Sequence, residues 1–112
     1  MALPAAVQAS PDGEVQFIAT QGMVPGHFYA RGNRFIYIDG IQTYAIGDLA
    51  TGRTKGVYRC KKDSALVLAL DAAANFDQAT GLIVATGGIG PIGKVNSAAG
   101  AGVTEVLVEL NR

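Results

Sequence analysis

The chain has 112 residues, which is enough for one domain with a single modest core. Charged residues make up 16% of it, well below the roughly 25% of an ordinary soluble domain. Nine basic and nine acidic side chains give a formal net charge of zero, so the basic footprint of a nucleic-acid-binding protein is missing and no nucleic-acid partner is expected. Because uncharged surfaces tend to associate, this composition favours an oligomer or a component of an assembly over an Ala- and Gly-rich monomer.

Residues 1–13 are expected to form an extended N-terminal arm, since Pro4 and Pro11 disfavour regular structure. Such an arm becomes ordered only where something docks it. It is also unusually apolar for a tail, and Leu3 and Val7 are predicted to contact a partner. The segment lacks the charged start and long apolar stretch of a signal peptide, and no apolar run approaches the roughly 20 residues that cross a bilayer. We therefore expect no membrane partner, and a protein of the cytoplasm or of a particle assembled there.

The first strands come directly after the arm. Glu14–Ile18 begins with the polar–apolar alternation of a half-buried strand. Residues 27–31 and 34–38 are rich in aromatic and β-branched side chains, and only Gly32 and Asn33 separate them. A two-residue Gly/Asn link indicates a tight hairpin, because such turns need positive φ angles.

Charged and polar side chains flank this hairpin turn. Arg31, Asn33 and Arg34 are candidate partner-binding residues. The plainer alternative is that they are exposed hairpin side chains with no partner.

The middle of the chain is rich in turns. A short strand is predicted at residues 43–45, turns at 47–52 and a further strand at 53–59. Lys61 and Lys62 are expected to be a solvated strand end.

Residues 63–74 are ambiguous. Their Ala and Leu content favours one short helix, whereas Leu66, Leu68 and Leu70 alternate as strand residues do. Both alternatives stay open.

The C-terminal part again predicts strands, at residues 82–86, 92–96 and 103–110. In the last of these, Val106 and Val108 fall on the face expected to be buried. Short strands separated by Gly-rich turns indicate an all-β fold, a small antiparallel β-sandwich or barrel over residues 14–112 with at most one short helix.

The sequence of residues 88–94 matches two phosphate-binding motifs, namely GxGxxG and the first part of a P-loop. Both sites need a helix that begins at the last glycine and holds phosphate on its free amides. Two glycines, Gly100 and Gly102, follow too soon for a good helix, and Val95 stands where a P-loop has Ser or Thr. The pattern therefore predicts a glycine-rich turn between antiparallel strands.

No catalytic or metal-binding constellation is evident. The one cysteine, Cys60, cannot form a disulfide within the chain and is expected to pack as a small hydrophobic residue. A Cys60–His27 nucleophile and base is the minor alternative, although the two are distant in sequence. One histidine and one cysteine cannot supply four soft metal ligands, and the carboxylates are scattered. We predict a protein that is not an enzyme and has no cofactor.

Several segments occur in an order and at spacings that resemble those of a known protein family. They are the strand at Gly56-Val57-Tyr58 with the lysines after it, the Phe76-Asp77 turn that ends at Thr80-Gly81, the strand at residues 92–95, the Ala/Gly loop at 98–102 and the final strand at 106–110. Over residues 24–112 this arrangement resembles the DUF2190 family of small phage proteins. The chain departs from the family where Asn75 and Phe76 stand in place of a Tyr-Trp pair.

The resemblance implies a head decoration or capsid cement protein. Such a protein sits on the outer capsid surface of the virion and stabilises it by bridging subunits of the major capsid protein, and a homo-oligomer, dimer or trimer, is expected. The alternative is a small ligand- or carbohydrate-binding β-sandwich module of a phage particle, for which the chain offers four tyrosines, Tyr29, Tyr37, Tyr44 and Tyr58.

Overall fold

The computed structural model of the chain describes residues 13–112, which form two antiparallel β-sheets and no helix. The all-β prediction is therefore confirmed. The strands are β1 (Glu14–Ile18), β2 (Phe28–Arg31), β3 (Arg34–Tyr37), β4 (Leu49–Arg53), β5 (Val57–Lys61), β6 (Ala73–Asp77), β7 (Leu82–Val84), β8 (Ile89–Ser97) and β9 (Glu105–Leu110). The predicted arm lies outside the described residues except for Gly13, and so do Leu3 and Val7.

The four-stranded sheet has the order β1-β4-β3-β2. The predicted hairpin joins β2 to β3 through Gly32, whose φ of 63° suits a glycine at a tight turn. Alternate side chains of this sheet point inward, as the strand period requires. They form a core of Phe17, Ala19, Met23, Tyr29, Ile36, Ile38 and Ala50.

The five-stranded sheet has the order β5-β9-β8-β6-β7, and it curls toward a closed barrel. A parallel bridge between Lys62 and Ile83 connects the end of β5 to β7, the two outer strands of the sheet. Its core consists of Cys60, Leu68, Ala74, Phe76, Ile83, Ile92, Val95, Ala99, Val106, Val108 and Leu110.

One aromatic side chain connects the two sheets. Phe28 belongs to β2 but is buried in the core of the five-stranded sheet. Its ring centroid lies 5.2 Å from that of Phe76 and 5.8 Å from that of Tyr58, both in edge-to-face geometry. The β2–β3 hairpin therefore contributes one face to each core.

Strands β4 and β5 differ from the strand and turns that the sequence predicted there. Strand β4 occupies residues that were predicted as turns, and the predicted strand at 53–59 is interrupted at residues 54–56. Gly52 explains the first error. A Cβ there would lie 3.2 Å from the carbonyl oxygen of Tyr37, so this glycine allows close approach of β3 and is not a turn signal.

The segment 63–74 forms no helix: residues 63–72 are turns and loop, and residues 73–74 begin β6. Leu68 forms an isolated bridge with Ala99, and the backbone of Asp71 and Ala72 hydrogen-bonds to Val95. Lys62, which precedes the loop, was expected to be solvated, and that prediction is wrong, because its side chain is buried. The Nζ atom of Lys62 donates hydrogen bonds to the carbonyl oxygens of Asp63, Leu66 and Gly100.

The glycine-rich pattern lies mostly within a strand, which corrects the predicted turn. Strand β8 begins at Ile89 and continues to Ser97 without starting a helix. Gly93 is required there, because a Cβ at this position would collide with the carbonyl group of Glu109 on β9.

Candidate functional site

The predicted partner-binding residues of the hairpin are exposed, and they lie where the two sheets meet. Arg31 ends β2 and Arg34 begins β3, and their Cα atoms are direct cross-strand partners. Asn33 is in the turn between them. Arg31 extends over the ring of Phe17, with its guanidinium carbon 5.2 Å from the ring centroid.

Asn111 holds the two sheets together beside this hairpin. Its side-chain amide accepts a hydrogen bond from the backbone N–H of Phe35 at 2.9 Å and donates one to the carbonyl of the same residue at 2.7 Å. The amide also donates to the carbonyl of Thr54 at 2.9 Å. The backbone φ of Asn111 is 57°, a left-handed conformation that asparagine tolerates better than most residues. The side chain thus hydrogen-bonds the backbone of β3 at Phe35 as a neighbouring strand would.

Thr54 forms the floor of the same region. Its backbone N–H and its hydroxyl group both donate to the carbonyl of Gly13, at 2.8 and 3.0 Å. Gly13 is therefore part of the β domain.

Two adjoining clefts open above Thr54, and together we call them the seam cleft. The larger is about 610 Å³ and the smaller about 470 Å³. They share Asn33, Arg34 and Thr54. The larger cleft takes its other lining residues from 55–56 and 109–112, and the smaller takes them from the β2–β3 hairpin. The seam cleft is lined by Arg31, Gly32, Asn33, Arg34, Ile36, Thr54, Lys55, Gly56, Glu109, Leu110, Asn111 and Arg112.

The lining of the seam cleft is cationic, although the chain as a whole has no net charge. Glu109 supplies the one carboxylate side chain of the lining, and it lies 3.8 Å from Arg112, which also pairs with Asp71 at 2.5 Å. The positive charges of Arg31, Arg34 and Lys55 have no such ion pair within residues 13–112.

Asn111→Ala is expected to lower the melting temperature of the domain by several degrees. The alanine removes three hydrogen bonds across the seam and places a less tolerant residue at a positive φ, together costing about 2 kcal/mol. Thermal unfolding followed by circular dichroism measures the change. Arg112→Ala, a neighbouring exposed position, is the matched control and is expected to shift the melting temperature less. Equal melting temperatures for Asn111→Ala and the wild type would contradict the role given to this amide.

The structure gives Cys60 and His27 separate surroundings. Burial raises the pKa of the Cys60 thiol to about 12, so the thiolate needed for nucleophilic attack is scarce at neutral pH. The thiol donates a weak hydrogen bond to the carbonyl of Tyr58. The ring of His27 contacts Phe76 edge-on, with the centroids 5.4 Å apart, and stacks near Tyr29. Among the described residues, no group of three His, Cys, Asp or Glu side chains is placed to hold a metal ion.

All four tyrosines pack against one of the two cores, Tyr29 and Tyr44 in the four-stranded sheet and Tyr37 and Tyr58 in the five-stranded one. The Tyr29 hydroxyl accepts a hydrogen bond from the backbone N–H of Val24, and the Tyr58 hydroxyl donates to the carbonyl of Lys55. The rings of Tyr37 and Tyr58 lie 4.3 Å apart, and burial raises the pKa of both phenols. These contacts use the rings that a sugar would need for stacking.

A second surface feature is apolar. Ile18 ends β1 directly opposite Leu49 at the start of β4, and both side chains are exposed. Ile46 lies next to them, because the N–H of Gly47 donates to the carbonyl of Ala19. We call Ile18, Ile46 and Leu49 the apolar tip. It lies at the opposite end of β1 and β4 from Thr54. The sequence interpretation missed it because residues 47–52 were assigned to turns.

No helix within residues 13–112 has the length and apolar character that crossing a membrane demands. Comparison of the chain with family models, with curated proteins and with solved structures finds no match. The resemblance to the DUF2190 family stays a prediction.

Proposed function

We propose that this protein is a structural component of a phage virion, a head decoration protein that stabilises the outer capsid surface by bridging major capsid subunits. The observation that carries the proposal is the exposure of large apolar side chains on a domain whose core is complete. Ile41 is 99% exposed and Ile46 is 73% exposed. Meanwhile, every buried side-chain nitrogen and oxygen atom of the described residues has a hydrogen-bond partner.

An exposed apolar surface of this kind is typical of proteins that contact neighbours. Removing apolar area from water stabilises an association by roughly 25 cal/mol per Å² before the costs of binding are subtracted. The apolar tip offers three such side chains in one place, and Ile41 offers a fourth elsewhere on the surface. Many copies on a shell bind by avidity, so that each contact can be weak. The resemblance to the DUF2190 family supplies the identity of the neighbours, the major capsid protein and further copies of this chain.

The test is cryo-electron microscopy of the native phage particle, combined with mass spectrometry of its proteins. The expected result is density for both β-sheets on the capsid exterior, at a copy number in fixed ratio to the major capsid protein. Absence of the chain from purified particles would refute the proposal.

Removal of residues 1–12 is expected to leave the domain folded and to weaken its attachment to particles by at least about tenfold. The truncation keeps Gly13, whose carbonyl accepts both hydrogen bonds from Thr54. Cosedimentation with undecorated capsids measures attachment, and thermal unfolding checks the fold. A full-length Leu3→Ser, Val7→Ser variant separates the contribution of the apolar side chains from that of chain length. Undiminished binding by the truncated protein would show that attachment uses only residues 13–112.

A further inference from the structure

We propose that the seam cleft binds the carboxylate side chains of an acidic protein segment on the surface to which this module attaches. The inference rests on the proposed attachment role, because it names the chemistry of the partner at one part of the surface. Three independent observations support it, namely the pairing of the arginines, the net charge of the cleft and the way in which its floor is held.

The first observation is that two like charges are placed directly opposite each other. Arg31 and Arg34 are cross-strand partners beside a two-residue turn, and both are exposed on the same face of the hairpin. Like charges in this arrangement destabilise a strand pair, whereas opposite charges stabilise it. The hairpin would be more stable with Glu in place of Arg34, which leaves the contact of Arg31 with Phe17 intact. A bound anion between the two guanidinium groups removes this repulsion.

The second observation is the excess of positive charge in the seam cleft. The charge of Arg112 is offset by its carboxylate partners Asp71 and Glu109, which leaves Arg31, Arg34 and Lys55. Residues 1–12 contain one acidic side chain, that of the residue before Gly13, and no Lys or Arg. Even if that carboxylate lay in the cleft, the three cations would still outnumber it.

The third observation is that the cleft is built on a fixed floor. Thr54 is buried and uses its N–H, hydroxyl and carbonyl groups in hydrogen bonds to Gly13 and Asn111. Asn111 in turn fixes the backbone of Phe35, one residue after Arg34. The cationic side chains therefore project from backbone that is held from both sheets, which lowers the entropy lost when a ligand binds.

The chemistry favours a carboxylate on a protein over a nucleic-acid phosphate. Planar guanidinium groups form paired hydrogen bonds with carboxylates, and two of the three cations are arginines. Nucleic-acid binding needs a basic stripe that follows many phosphates. Here only four of the nine basic residues line the cleft, Glu109 lies among them, and the chain is neutral overall.

The test uses a fluorescein-labelled hexaglutamate peptide, with binding followed by fluorescence anisotropy at low and at physiological salt. Arg34→Glu in the full chain is expected to weaken peptide binding by at least about tenfold. The same substitution is expected to raise the melting temperature by about 1 to 4 °C, because it converts the like-charge pair into an opposite-charge pair. A gain in stability with a loss of binding cannot result from unfolding.

Lys61→Glu is the matched control. Lys61 is exposed on β5, far from the seam cleft, and its substitution by Glu changes the net charge by the same amount as Arg34→Glu. Its cross-strand partner is Glu105, so the control is expected to lower the melting temperature slightly and to keep peptide binding within about twofold.

Three further outcomes overturn the inference, and a fourth overturns only the decoration proposal. Equal loss of binding in both variants would show that only net charge matters. Tighter binding of a labelled single-stranded oligonucleotide than of hexaglutamate would assign the cleft to nucleic acid. If the wild type binds no peptide but is present on particles, the seam cleft proposal fails and the decoration proposal stands. If the peptide binds and the chain is missing from particles, the decoration proposal fails and the cleft remains a carboxylate site.

Discussion

Val108→Asp is expected to unfold the domain at room temperature. Val108 is completely buried in the middle of β9, between Tyr58 on β5 and Val95 on β8. An aspartate there loses the packing of two methyl groups and places a carboxylate among apolar side chains, at a cost of at least about 4 kcal/mol. Domains of this size are stable by only about 5 to 15 kcal/mol, so a cost of this size or larger unfolds a domain near the lower end of that range. Circular dichroism and urea denaturation measure the loss.

Leu107→Asp is the matched control for this experiment. Leu107 is the preceding residue, is half-buried, and faces the other side of β9, where Arg59 is its cross-strand partner. An aspartate beside that arginine gains an opposite-charge neighbour, so a much smaller loss is expected. A Val108→Asp variant as stable as Leu107→Asp would show that the assigned inner face of β9 is wrong.

Lys62→Ala is expected to reduce the free energy of unfolding by about 3 kcal/mol, the second largest effect. The ammonium group of Lys62 donates to the carbonyl oxygens of Asp63, Leu66 and Gly100, and the side chain is only 3% exposed. Without it, these carbonyls lose their donor, and the 63–72 loop loses one of its connections to the loop that precedes β9. Urea denaturation and limited proteolysis at the 63–72 loop measure the effect.

Two further variants identify the cause of the stability loss in Lys62→Ala. Lys62→Met keeps the apolar stem and removes the donor, so a loss close to that of Lys62→Ala assigns the effect to the hydrogen bonds. Lys61→Ala, at the adjacent exposed position, is expected to change stability by no more than about 0.5 kcal/mol. Wild-type stability in Lys62→Met would contradict the structural role of the ammonium group.

Strands whose side chains alternate were predictable from the sequence, whereas the role of the glycines within strands was not. Glu14–Ile18 and the hairpin at Gly32 follow local rules, because alternation and turn chemistry depend on neighbouring residues. Gly52 was interpreted as a turn residue, and Gly93 lies both in the strand predicted at 92–96 and in the glycine-rich pattern that was interpreted as a turn. In the structure they are strand residues at which another backbone approaches too closely for a side chain, and only the tertiary structure shows that contact.

The seam cleft was predictable only in part, for a similar reason. The hairpin signal identified Arg31, Asn33 and Arg34 as exposed side chains beside a tight turn. The rest of the lining comes from residues far away in sequence, such as Lys55 and Asn111, and no local pattern connects them to the hairpin. Lys62 was misjudged because a lysine at a strand end is usually solvated, whereas here three carbonyl groups from two loops surround it.

The closure of the five-stranded sheet has a consequence for how the protein reaches its folded state. Strand β5 has β9 as its main neighbour, and their register places Val57 opposite Glu109. Strand β5, which comes first in this sheet along the chain, therefore cannot pair until β9, which comes last, is in place. The long segment between them must close into a loop before their contacts stabilise the fold. Such non-local pairing gives folding times of milliseconds to seconds, during which β5 exposes an unpaired edge. Until that pairing forms, the exposed edge of β5 is the part of the chain most open to association with other chains, although β9 covers it in the folded domain.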